Sequence, residues 1–180
     1  SLDATGLGRL VQARWGVPIV LAGVQANMAM GPAPTHGVRV KTVYGLPGAR
    51  EQAAQGFPVL FWTTVPQLKW ALLEGVSPEQ ARLHALVCTM ARLPDTNLAH
   101  RGGMKGLQWA QARAEHFLAQ GGVFAPGWAE RAHAMCKQFR ARWLSPGGSA
   151  DLLSAAMFVQ QLGELSKLLT QAAAHTVDAP

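Results

Sequence analysis

Apolar residues recur at helical spacing through most of the chain, and four stretches carry the pattern clearly. In "SPEQARLHALVCTMARL" Leu83, Leu86, Val87 and Met90 fall on one face. Ser77 stands there as N-cap, Pro78 at the first helical position and Gln80 as the far side of a capping box. From Met104 to Gln120 the apolar positions are Leu107, Ala110, Ala114, Phe117 and Leu118, and Gly121-Gly122 ends the run. In "PGWAERAHAMCKQFRARWL" a stripe of Trp128, Ala132, Met135, Phe139 and Trp143 leaves Glu130, Arg131, Lys137 and Arg140 largely off it. The last stretch, "LLSAAMFVQQLGELSKLL", is apolar nearly all round, which predicts a central helix.

The first third is less regular. "VRVKTVY" alternates like a strand, yet Val40, Val43 and Tyr44 also fit a helix face and no partner strand is apparent, so a helix is predicted. Pro66 interrupts "PVLFWTTVPQLKWALL", which predicts a kinked helix or two short ones. The tail "AAAHTVDAP" carries no packing signal. With no hairpin signal anywhere, the fold class expected is all-α: a multi-helix bundle in which glycine-rich loops form a nucleotide site.

Composition narrows the picture. A chain of 180 residues is long enough for one well-filled core, so one helical domain over residues 1–180 is expected. Hydrophobic residues make up 49% and charged residues 14%, which argues against disorder and allows an apolar oligomer face. The net charge of +6 suits nucleotides, nucleic acid or an acidic partner. The basic residues form no run and no ladder with aromatics, which favours small phosphorylated molecules over nucleic acid polymers. The apolar stretch Val17–Gly31 contains Gln25 and Asn27 and is too short to span a bilayer. Cys88 and Cys136 sit inside helical patterns without disulfide or metal spacing, so core positions in a cytoplasmic protein are expected. His133 and Cys136 share a helix face, but two ligands make no zinc site.

Three segments offer chemistry, and each has a plain reading beside the functional one. In "YGLPGAREQAAQ" Gly45 and Gly48 bracket a turn before a helix that starts with Arg50 and Glu51. Glu51 suits a helix N-terminus electrostatically, whereas the functional reading makes Arg50 a phosphate clamp. The segment "DTNLAHRGG", Asp95 to Gly103, reads as a loop between helices. Asp95 and Asn97 are hard oxygen donors for Mg²⁺, Arg101 can grip phosphate, and Gly102 and Gly103 let amides approach an anion. Alternatively Asp95 caps a turn and pairs with Arg101, and His100 is simply solvated. In "SPGGSADLL" Ser145, Gly147, Gly148 and Ser149 enter a helix as amides that cradle phosphate do, but without the Lys of a P-loop. Asp151 there either carries a bridging Mg²⁺ or caps the helix.

Taken together these segments resemble the carboxy-terminal part of the triphosphoribosyl-dephospho-CoA synthase family. The agreement is in order and spacing: Thr35-His36-Gly37, Tyr44-Gly45, Gly48-Ala49-Arg50, Gly56-Phe57-Pro58, Asp95-Thr96-Asn97, Arg101-Gly102-Gly103, Gly121-Gly122 and Ser145 to Leu153. It covers roughly Thr35 to Leu162. The resemblance implies an all-helical fold and a reaction in which the 2′-hydroxyl of dephospho-CoA attacks the ribose C1 of ATP and adenine departs. Asp95, Asp151 and Glu51 are then the candidate catalytic carboxylates. Arg50, Arg101, Gly102, Gly103, Ser145, Gly147, Gly148 and Ser149 are candidates for holding the triphosphate, with Mg²⁺ on Asp95, Asn97 or Asp151. The resemblance further implies citrate lyase or malonate decarboxylase as the pathway served and ATP and dephospho-CoA as small-molecule partners; from the dispersed basic residues and the short apolar stretch, neither a nucleic acid nor a membrane partner is expected. Two departures stand out. The family's acid at position 52 is Gln52 here, and its amino-terminal Lys-Pro-Gly-Leu-Val, Gly-Ala-His and Gly-Val-Asn-Thr-His stretches are not found. The chain is therefore expected to lack the family's amino-terminal portion and to work as a homo-oligomer or with a complementary chain. A split enzyme or a non-catalytic nucleotide-binding or interaction module is the alternative.

Overall fold

The computed structural model describes residues 6, 8–10, 12–13 and 36–177, and no strand occurs among them. The stretch Val17–Gly31, Thr35 and residues 178–180 lie outside the described residues. The alternating "VRVKTVY" is helical: α1 runs His36–Tyr44 and buries Val40 against the main core. Gly45, with φ of +68°, lets the chain turn off α1 where a side chain would be strained. The next helix, α2, spans Ala49–Ala54. At its start the Glu51 carboxylate accepts the Gly48 N–H at 2.9 Å and pairs with Lys41 of α1, which ties the two short helices together.

Pro66 has the effect its chemistry requires. It has no N–H to give to the preceding turn and its ring needs room there. A π-helical turn, Leu60–Thr64, leads into α3, Val65–Leu73, with Pro66 in the first turn. The helix α4, Pro78–Arg92, starts with the capping box read from the sequence. Gln80 N–H donates to Ser77 Oγ at 3.2 Å, and Ser77 N–H donates to Gln80 Oε1 at 3.1 Å. Then come α5, Thr96–Ala119, a 3₁₀ turn at Gly122–Phe124, α6, Trp128–Ala141, and α7, Gly147–Val177.

Two apolar clusters fill the body, and α4 stands between them. Val87 and Met90 pack with Val40, Leu98, Leu107, Phe117 and Phe139; Ala81 and Ala85 pack with Leu60, Phe61, Val65, Leu68, Leu152 and Ala156. Small residues on the second face let α3 and α7 approach closely. A polar stitch crosses there as well: Thr89 donates to Ala85 O and lies 2.8 Å from Thr64 Oγ1, both hydroxyls fully buried. Unsatisfied, each would cost about 1–3 kcal/mol.

Four expectations are corrected. The central helix is α4 rather than α7, because only the first turns of α7 contribute core residues while Phe158, Leu162, Leu165 and Leu168 are exposed. The segment from Thr96 to Gly103 is part of α5 instead of a loop, because Asp95 caps it and Leu98 and Ala99 are fully buried. Trp143 leaves the α6 stripe: the helix stops at Ala141, and Trp143 takes a positive φ of 55° and is 82% exposed. Cys136 lies on the exposed side of α6, with Cys88 half-buried on α4.

Candidate functional site

The α5 and α7 N-termini meet at one carboxylate. Asp95 caps α5 in the ordinary way, its Oδ1 accepting the N–H groups of Asn97 at 2.9 Å and Leu98 at 3.4 Å. The same side chain reaches the start of α7. Gly148 N–H donates to Oδ1 at 3.3 Å, while Ser149 donates to Oδ2 from its N–H at 2.8 Å and its Oγ at 2.9 Å. Asp95 is fully buried, and among the described residues no Lys or Arg pairs with it. Its charge is held by five donors and by the positive ends of two helices.

This arrangement explains the glycines. A Cβ on Gly148 would lie 3.1 Å from Asp95 Oδ1, and one on Gly147 would lie 2.6 Å from Asn97 Nδ2. On α5, a Cβ at Gly102 would lie 2.7 Å from Leu144 Cδ2, and Gly106 is nearly as tight against the same side chain. Gly103 has φ of 62° and ψ of −168°, a backbone open essentially to glycine alone, and it breaks α5 into two helical pieces. The Tyr44 hydroxyl sits 3.4 Å from where its Cβ would be, so the end of α1 reaches this kink.

The second and third candidate segments are thus brought together, and the first joins through Tyr44. Asn97 and Arg101, four apart on one face of α5, flank the segment that enters α7. The Asn97 side chain lies against Gly147, and Arg101 Nη1 is 3.5 Å from Trp143 O. Asn97, Arg101, Ser145 and Asp151 are exposed around this junction. Arg50 is exposed on α2. Partial burial would raise the Glu51 pKa, but the hydrogen bonds from Lys41, Gly48 and its own amide, with the Lys41 charge, outweigh it and lower it overall.

This geometry changes what several expected roles require. The lone pairs of Asp95 are engaged by backbone and serine donors, so a metal or a substrate proton would have to displace them. The Gly148 and Ser149 amides, expected to cradle phosphate, hold the Asp95 carboxylate instead. Among the described residues no three His, Cys, Asp or Glu side chains converge as a metal cage. Mg²⁺ needs no such cage when it arrives on a polyphosphate, since one or two oxygen ligands and several waters suffice. Exposed Asp151 and Asn97 fit that smaller share; Asp95 does not. The residue that sequence reasoning left out is Leu144. Its fit against Gly102 and Gly106 seats the α7 entry on α5, and the small-residue spacing of 102 and 106 was the available signal.

No helix among the described residues is long and apolar enough to cross a membrane. The family model for ATP:dephospho-CoA triphosphoribosyl transferase matches residues 16–170. A probable 2-(5″-triphosphoribosyl)-3′-dephosphocoenzyme-A synthase of Citrobacter koseri is 40% identical over 134 residues, 74% of this chain and 44% of the relative. One of Vibrio cholerae is 39% identical over 168 residues, 93% of this chain and 53% of the relative. One of Acinetobacter calcoaceticus is 34% identical over 158 residues, 88% and 52% of the two chains. The chain thus spans about half the length of the curated relatives it matches. No solved structure matches it.

Proposed function

Because the chain belongs to the ATP:dephospho-CoA triphosphoribosyl transferase family, we propose that it carries the reaction of that family: transfer of the triphosphoribosyl group of ATP to the 2′-hydroxyl of dephospho-CoA, with loss of adenine. The observation that supports this most directly is the junction at which Asp95 joins the "DTN" and "SPGGSAD" segments, with Gly102 of "RGG" packed against Leu144 just before the latter. The product is a prosthetic-group precursor for an acyl carrier protein, of the kind used by citrate lyase and malonate decarboxylase, and the setting is cytoplasmic.

The chemistry assigns different work to the two aspartates. Displacement at ribose C1 builds oxocarbenium-like charge and needs a carboxylate to take the hydroxyl proton or steady the cation. Asp151, exposed at the start of α7, is the candidate for that role. Asp95 acts as a positioning residue that sets the two helix ends. Glu51, half-buried and held to Lys41 and the Gly48 amide, is engaged in tying α1 to α2 and is the less available of the two candidates. Arg101 and Arg50 are the cations proposed to hold the triphosphate, together with Ser145 and the Gly147 backbone. Bound Mg²⁺ would neutralise triphosphate charge, with Asn97 as its protein ligand and Asp151 left free for the proton.

The test is free adenine. Purified chain, helical by circular dichroism, is incubated with ATP, Mg²⁺ and dephospho-CoA, and adenine is followed by chromatography with ATP alone as control. Adenine formed only in the presence of dephospho-CoA is the expected result, and Asp151→Asn is expected to stop it with the fold intact. A folded chain that releases no adenine and shows no Mg²⁺-dependent ATP binding by titration calorimetry overturns the proposal.

A further inference from the structure

A second cationic site lies at the far end of α5. Arg113, His116 and Gln120 line one side of a cavity of about 150 Å³, and Arg131 and Gln138 of α6 line the other. Arg113 is ten residues beyond the Gly103 kink, roughly 15 Å along the helix, so this cavity is separate from the Asp95 junction.

Its charge is one-sided. No Asp or Glu lines it. Arg131 is fixed in place: Nη1 donates to Pro126 O at 2.6 Å, and Nη2 donates to Gly122 O at 3.1 Å and Ala125 O at 3.4 Å. Its guanidinium carbon also stands 6.0 Å from the centre of the Phe117 ring. The carbonyls orient this cation but carry no formal charge to cancel it. The Nε atoms of both Arg131 and Arg113 are buried without an acceptor. These are two of the four buried side-chain atoms left unpaired among the described residues, and both belong to residues that line this cavity. A buried donor without an acceptor costs about 1–3 kcal/mol, and a fork of N–H groups suits a tetrahedral oxyanion.

We infer that this cavity between α5 and α6 is a binding site for a single phosphoryl group, gripped by Arg113 and Arg131. Size sets the limit to one such group. A water occupies about 30 Å³, so the space accepts an orthophosphate-sized ion, while pockets that enclose a whole small-molecule ligand begin at roughly 300 Å³. The phosphoryl group is either free inorganic phosphate or one phosphate of a larger ligand whose remainder lies outside. Nothing in this inference depends on the transferase reaction.

Titration calorimetry at constant ionic strength, with orthophosphate in one arm and ATP without Mg²⁺ in the other, tests it. Arg113→Gln is the main variant, since among the described residues no hydrogen bond or ion pair holds Arg113; Gln138→Glu, which sets a carboxylate on the exposed facing helix, is the second. Each is expected to keep the parent melting temperature in phosphate-free buffer. Loss of about tenfold or more in orthophosphate affinity in both variants, as for a charged hydrogen bond, identifies the free anion. The same loss for ATP, with no orthophosphate binding to the parent chain, identifies a phosphate of a larger ligand. Parent binding of either anion that neither variant weakens, or no binding in either arm, overturns the inference.

Discussion

With five donors on two oxygens, the Asp95 carboxylate joins chain segments more than fifty residues apart. Asp95→Ala leaves buried N–H groups at both helix starts without an acceptor, and a loss of about 3 kcal/mol or more is expected. Asp95→Asn keeps one acceptor but turns an NH₂ toward donors, so it too is expected to destabilise the fold. Urea denaturation reads both, and midpoints equal to the parent's refute the cross-link. A second contrast at this scale lies in the thiols. Burial pushes the Cys88 thiol up to about 11, with Arg92 opposing only in part, whereas Cys136 is exposed. At pH 8 only about one Cys88 in a thousand is thiolate, and thiolate is the reactive form. Iodoacetamide at that pH is expected to label Cys136 well before Cys88, as peptide mass spectrometry would show; equal rates count against the burial.

At the scale of elements, α5 depends on a break. Asp95 caps its first piece and Gly103 swings the second onto the line that buries Leu107, Ala110, Ala114 and Phe117. Gly103→Ala forces a side chain into a backbone open essentially to glycine, at a cost of about 1–3 kcal/mol. A lowered melting temperature is the expected outcome; an unchanged one shows that the kink is dispensable. Gly148→Ala acts on the same junction from α7, where the new methyl would press on the capping carboxylate. Both changes are local, so the helices themselves should persist in circular dichroism even as the melting temperature drops.

For the whole molecule, α4 is the element on which both cores depend, and His84 reports its state. Its Nε2 lies 2.8 Å from Gln67 Oε1, and its ring packs between Trp70 of α3 and Phe124 of the 3₁₀ turn. Burial lowers its pKa below the usual 6.5. The unfolded chain therefore takes up the proton first as pH falls. Stability from this site is complete above about 6.5 and is lost progressively as pH drops through the lower folded value. Melting temperatures measured from pH 7 to pH 5 are expected to fall, with a shallower slope in His84→Phe, which keeps the aromatic packing. An equal slope in both chains removes His84 as the cause.

Local rules made much of this chain legible. Spacing of apolar residues fixes the helices, the Ser77–Gln80 pair fixes where α4 starts, and the missing N–H of Pro66 fixes the disturbance before α3, because each depends on neighbours a few positions away. Order and spacing of the polar segments were enough to identify the family. The sequence does not tell which partner a group finds across the fold. Asp95 looked like a metal ligand and Gly147-Gly148-Ser149 like a phosphate cradle, since a carboxylate and free amides are the right parts for both. Only the tertiary structure brings the two together and lets one satisfy the other. The same holds for α7, whose apolar surface predicted a central helix. Its placement depends on which helices are near enough to cover it, and that role fell to α4, whose small residues allow close packing on a second face.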